Sequence, residues 1–256
     1  MTRLRSLAAL LLSFAAIGAA RAAPASLAIG AAPSLGPAVA ALNAAYAKQH
    51  PDQAFTVSVA TTAALTAAVQ AGNGAQLLLL DSREAADALV AARQAVAGSV
   101  TVFGEGLLAI YSNTPGVNTG RGAPLFIADY ITGIALGDPA SSPFGALARG
   151  AMQRLTVLES AEPKFRLFPD DAAAAAAVRS GQIDIGVLPV TLVVSTDTRK
   201  TGSSTALPLG LYTPAAYTAV ISEAGRSSEA ARAYLAFLMA DSTAPLLREL
   251  GIAPPP

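Results

Sequence analysis

The side chains able to do chemistry in this sequence are few, and most are alcohols placed where helices begin. Leu27-Ala28-Ile29-Gly30-Ala31-Ala32-Pro33-Ser34-Leu35 reads as an apolar strand, a tight turn of small residues and the opening of a helix. Ser34 would then set a hydroxyl beside backbone N–H groups that no helical carbonyl reaches, an arrangement suited to holding an anion. Taken alone, the same pattern describes an ordinary helix cap. It gains weight from repetition. Thr61-Thr62 follows a second strand-like run, Phe144-Gly145 opens a helix behind Pro143, and Asp170-Asp171 opens another. In an open α/β sheet such entries gather at the carboxyl ends of the strands, where ligands bind. Hydroxyls and terminal amides can hold a tetrahedral oxyanion at about 1.5–3 kcal/mol per charge-assisted bond, without any Lys or Arg.

Other chemistries lack their residues. There is no cysteine and one histidine, His50, which lies beside Pro51 and reads as a helix-end cation. No G-x-S-x-G is present, and no Ser/His or Cys/His constellation can be assembled. Neither a phosphate-cradling glycine loop nor a dinucleotide fingerprint follows a strand, and no metal-ligand spacing occurs. Asp170-Asp171 is the closest carboxylate pair. Adjacent residues at a helix start point apart, so capping is favoured over acid–base work. The expectation is a binding protein, not an enzyme, with no cofactor and no metal cation.

The elements that must position these groups alternate. Strands are expected at Leu27–Ala32, Ala54–Ala60, Leu77–Leu80, Val100–Phe103, Leu107–Tyr111, Gly133–Leu136, Lys164–Phe168, Ile183–Leu188, Ala206–Leu211 and Tyr217–Ile221. Helices are expected at Leu35–Lys48, Ala63–Ala71, Arg83–Ala92, Ala146–Leu155, Ala172–Arg179 and Arg226–Met239, with a last one ending at Leu250. Asp81-Ser82 and Asp241-Ser242 read as caps, and Gly104-Glu105-Gly106 as a bend between two strands. Asn113–Pro124 and most of Val190–Ser204 read as surface loop, Leu125–Tyr130 is ambiguous, and the Pro-rich tail is a stop. The βα alternation predicts an α/β fold with parallel or mixed sheets flanked by helices.

The chain has 256 residues, enough for one large domain or two modest ones. Hydrophobic residues make up 53% and charged ones 13%, a balance that Ala-rich helices over a sheet produce. Residues 1–22 have the layout of a secretory signal peptide: Arg3 and Arg5, an apolar run from Leu7 to Ala20, and the A-x-A site Ala20-Arg21-Ala22. Losing those three arginines leaves 14 basic residues against 17 acidic ones, so no basic field exists for nucleic acid. An exported, cysteine-free chain suits the bacterial periplasm.

The ordered series A-A-x-S-L at Ala31–Leu35, hydroxyl-x-A-L at Thr62–Leu65, G-D-P-x-x-x-P-x-G at Gly137–Gly145 and G-x-x-D-x-G-V at Gly181–Val187 resembles the periplasmic molybdate-binding proteins of ABC transporters. The resemblance runs from Leu27 to Ile252 and implies a two-lobed type II periplasmic binding protein fold with a hinge between the lobes. Residues 23–104 plus 211–256 would form lobe I, and residues 105–210 lobe II. The implied ligand is a tetrahedral oxyanion, molybdate or tungstate, handed by a monomer to a cognate ABC permease in the inner membrane. Ligand-binding positions carried over are Ala32, Ser34, Thr61, Thr62, Phe144, Gly145 and Asp171, with Phe144 and Asp171 contributing backbone N–H groups. Pro189 stands where the family has a ligand tyrosine, and Asp171 puts a carboxylate where a dianion would be repelled. The same fold with another oxyanion or a small organic ligand is the alternative, and a sensory or interaction protein the third reading.

Overall fold

The computed structural model describes residues 26–194 and 202–255; the expected signal peptide lies outside the described residues. The strands are β1 Leu27–Ala31, β2 Phe55–Val59, β3 Leu77–Leu80, β4 Thr101–Gly106, β5 Leu108–Ser112, β6 Ile134–Gly137, β7 Phe165–Phe168, β8 Ile185–Pro189, β9 Ser203–Ala206, β10 Ala215–Ile221 and β11 Ile252–Ala253. The helices are α1 Gly36–Gln49, α2 Thr62–Gln70, α3 Arg83–Ala91, α4 Pro124–Ile127, α5 Pro143–Arg154, α6 Leu158–Ala161, α7 Asp171–Arg179, α8 Val190–Val193, α9 Glu229–Met239 and α10 Ala244–Glu249.

Two mixed sheets result. The first runs β11-β4-β10-β3-β1-β2 and the second β7-β6-β8-β5-β9. β1 pairs in parallel with β2 and β3, and β6 in parallel with β7 and β8. β10 runs antiparallel to β3 and β4, and β5 antiparallel to β8 and β9. The chain changes sheet at Leu107 and returns between Ala206 and Ala215. β3 is four leucines, all fully buried, as a central strand covered on both faces requires. β2 lies at an edge and exposes Val57 and Val59. Among the described residues no helix is long and apolar enough to cross a membrane.

Several local expectations change. Gly104 and Gly106 lie inside β4, not at a bend; glycine is needed because Ile252 packs on one and the rings of Phe144 and Tyr217 on the other. The expected strand Ala206–Leu211 stops at Ala206, since Pro208 cannot donate to a ladder, and Leu209–Leu211 forms a 3-10 turn. The helix expected from Arg226 starts at Glu229, where Ser228 caps it. α10 has Thr243 at its N-cap with no side-chain cap, so Asp241-Ser242 does not serve there; Pro245 near its start spares one donor. Leu35 belongs to a 3-10 turn, Pro33–Leu35, that precedes α1. The loop after Asn113 contains a 3-10 turn, the ambiguous stretch supplies α4, and the tail adds β11 to the first sheet. His50 caps the C-terminus of α1 and stacks on Tyr46 at 4.2 Å.

Candidate functional site

The carboxyl ends of β1, β3, β6 and β8 and the starts of α2, α3, α5, α7 and α8 come together. Ser34, in the turn after β1, is fully buried, and its Oγ donates to Asp81 Oδ2 at 3.1 Å. Thr62, the first residue of α2, donates to Asp81 Oδ1 at 2.7 Å. Thr61 caps α2 by accepting from the Ala64 amide. That division of labour leaves the Thr62 hydroxyl free to turn inward.

Asp81 is held by the same economy. It follows β3, and Ser82, not Asp81, caps α3 by accepting from the Ala85 amide at 3.2 Å. Asp81 is 4% exposed. Burial pushes its carboxyl above the ordinary range, while the bonds from Thr62 and Ser34 pull it back.

The second sheet supplies a matching pair. Ser142 caps α5 by accepting from the Gly145 amide at 3.0 Å, and its hydroxyl lies 2.8 and 2.7 Å from the two oxygens of Asp171. Asp170 caps α7 by accepting from the Ala173 amide at 2.8 Å. Asp171, first residue of that helix, is therefore left to face the cleft. A Cβ on Gly137 would strike the Asp171 carboxylate and the Ser142 hydroxyl, so β6 must end in glycine. Burial raises the Asp171 carboxyl to about 7, opposed by the Ser142 bond and reinforced by the charges of Asp81 and Asp170. Asp171 thus senses the charge of Asp81. Among the described residues neither has a Lys, Arg or His partner.

Two more hydroxyls close the wall. Thr191, in α8, donates to the Ser34 carbonyl at 2.6 Å, tying the second sheet's helices to the first sheet's opening turn. It also lies 3.1 Å from the Tyr217 hydroxyl. Tyr217 is fully buried, and burial, with the charges of Asp81 and Asp171, keeps its phenol protonated. Its ring packs 5.8 Å from that of Phe144 and 6.1 Å from that of Phe103.

Of the residues marked by the sequence, Ser34, Thr62 and Asp171 enter this cleft. The Ala32 amide is spent on the Leu79 carbonyl in the sheet, Thr61 on its cap and the Gly145 amide on Ser142. The Phe144 ring is buried in the aromatic cluster. Pro189 ends β8 opposite Leu108 and brings no donor; the hydroxyls of Thr191, two residues on, and Tyr217 line the wall there. Asp81, Ser142, Thr191 and Tyr217 escaped the sequence reading. Asp81 was visible only as half of a cap pair.

Comparison with known proteins gives a consistent result. The family described as bacterial extracellular solute-binding protein matches residues 27–253. The molybdate-binding protein ModA of Rhodobacter capsulatus is 32% identical over 157 residues, 61% of this chain and 60% of that protein. ModA of Azotobacter vinelandii is 26% identical over 156 residues, 61% of this chain and 62% of the relative. The aligned stretch thus spans about three fifths of these relatives. The solved structure of the Azotobacter vinelandii periplasmic molybdate-binding protein superposes with a TM-score of 0.81 at 19% identity, over 90% of this chain and all of that one. This places the fold among the type II periplasmic binding proteins.

Proposed function

The chain belongs to the bacterial extracellular solute-binding proteins, and we propose that it is the periplasmic receptor of an ABC importer for a tetrahedral oxyanion, molybdate or tungstate. One observation carries the ligand class. Two hydroxyls from separate strand ends, Ser34 and Thr62, converge on a single pair of acidic oxygens. Donors arranged to solvate Asp81 are arranged to solvate an oxyanion that replaces it. Similarity to two ModA relatives supports an anion of the molybdate type.

Ser34, Thr62 and Ser142 would hold the anion by their hydroxyls, with Phe144 and Asp171 offering helix-start amides and Thr191 and Tyr217 closing the wall. Residues 23–104 with 211–256 and residues 105–210 would move as two lobes about Leu107 and the return segment. The ligand would favour the closed arrangement that the Thr191–Ser34 bond fastens. The closed receptor, a monomer, would then dock on an inner-membrane permease.

The test is thermal. The mature protein is heated with molybdate, tungstate, sulfate, phosphate and a metabolite panel. A ligand at 100-fold its Kd adds about 2.7 kcal/mol of stability. A rise with molybdate and tungstate alone supports the proposal. A rise only with an organic compound bearing hydroxyl or amine donors supports a second reading, which the carboxylates Asp81 and Asp171, without a cationic partner among the described residues, favour. Such a ligand would bring its own donors to them.

A further inference from the structure

From the way Asp81 and Asp171 occupy the cleft's own hydroxyl donors, we propose that this receptor captures its oxyanion together with a proton, Asp171 being the group that takes it up. The inference rests on the oxyanion reading above.

The geometry sets the problem. The hydroxyls of Ser34 and Thr62 are committed to Asp81, and that of Ser142 to Asp171. An ionised carboxylate only accepts hydrogen bonds. An oxyanion entering among these donors must displace two acceptors of its own sign, in a site where no cation among the described residues offsets them. A proton on Asp171 removes one charge. It also turns a rival acceptor into a donor that can face the anion. The Ser142 hydroxyl is then released from holding a charged group.

Asp171 fits this role better than Asp81, because one hydroxyl contacts it where two donate to Asp81. The groups that face it are few. Asp81 approaches from the end of β3 and Asp170 from its own helix start, both disfavouring its ionisation. Tyr217 faces it from β10 as a neutral phenol. β6, β8, α8 and the turn Pro33–Leu35 carry no titratable side chain. β5 brings Tyr111, buried with Ala174 and Val178. β7 brings Arg166, which is exposed and bonded to the Phe165 carbonyl, and the loop after β6 brings Asp138, turned to the Ala140 amide. With its carboxyl near 7, Asp171 is poised to change state in the physiological range.

The experiment is calorimetric titration of the mature protein with molybdate at about pH 6, 7 and 8, each in two buffers of different ionisation enthalpy. Molybdate stays fully ionised over this range, so any proton taken up belongs to the protein. The wild type is expected to bind about fivefold more weakly at pH 8 than at pH 7, with about one proton taken up per anion at pH 8 and fewer at pH 6. In Asp171→Asn the affinity becomes flat with pH and proton uptake falls to near zero. Wild-type binding that is flat with pH and exchanges no protons overturns the inference and leaves the oxyanion reading standing. No binding at any pH in either protein overturns both. Should Asp171→Asn not fold, the wild-type proton count decides alone.

Discussion

Asp81 lies within hydrogen-bond reach of both Ser34 and Thr62, so two hydroxyls already solvate one negative group there. Replacing either hydroxyl should weaken molybdate binding by about 10- to 100-fold, the equivalent of one charge-assisted bond. Titration of Ser34→Ala and Thr62→Ala with molybdate measures it. Asp81→Asn separates the two ligand classes. Removing the rival charge should tighten molybdate binding. If the natural ligand is instead a donor-bearing organic molecule, the same change weakens its binding, because the acceptor it needs is lost.

At the scale of elements, the cleft depends on which of two adjacent polar residues caps a helix. At α3 Ser82 takes the cap and Asp81 turns inward; at α7 Asp170 takes it and Asp171 turns inward. Asp170→Ala should cost about 1 kcal/mol of stability, seen as a lower denaturant midpoint, and should loosen Asp171. Gly145→Ala should be far more damaging, since a Cβ there runs into the Gly137 carbonyl at the end of β6. The same one-residue choice limited what the sequence could reveal. The hydroxyls at Ser34 and Thr62, the Asp170 cap and the βα order were legible, because they depend on local pattern. Asp81 was not, since a shift of one residue decides whether it caps or faces the cleft. Ser142 was hidden because α5 begins at Pro143, three residues before the expected Ala146. Thr191 follows a Pro in an apolar run, and its role comes from α8 packing on the turn that holds Ser34, 157 residues away. Tyr217 sits in a strand that reads as plain core.

For the whole molecule, stability should follow the charge of Asp171. Its carboxyl titrates near 7 in the fold against an ordinary value of 3.8, so the fold holds its proton more tightly than the unfolded chain does. The associated stability is fully present below 3.8, falls as pH rises between the two values, and is gone above about 7. Relative to Asp171→Asn, the ligand-free wild type should lose up to about 4 kcal/mol across that window, read from denaturation curves at successive pH values. If the two proposed lobes part and return the carboxylate to water, closure should weaken over the same window.

Whether hydroxyls from two strand ends receive an oxyanion is decided by calorimetric titration of molybdate into the wild type and the Ser34→Ala/Thr62→Ala double variant near pH 6. Saturable one-to-one binding in the wild type, lost in a double variant that melts near the wild-type temperature, is the predicted result. A double variant that binds molybdate as tightly as the wild type, or a wild type that does not bind it, would mean that Ser34 and Thr62 do not hold the anion.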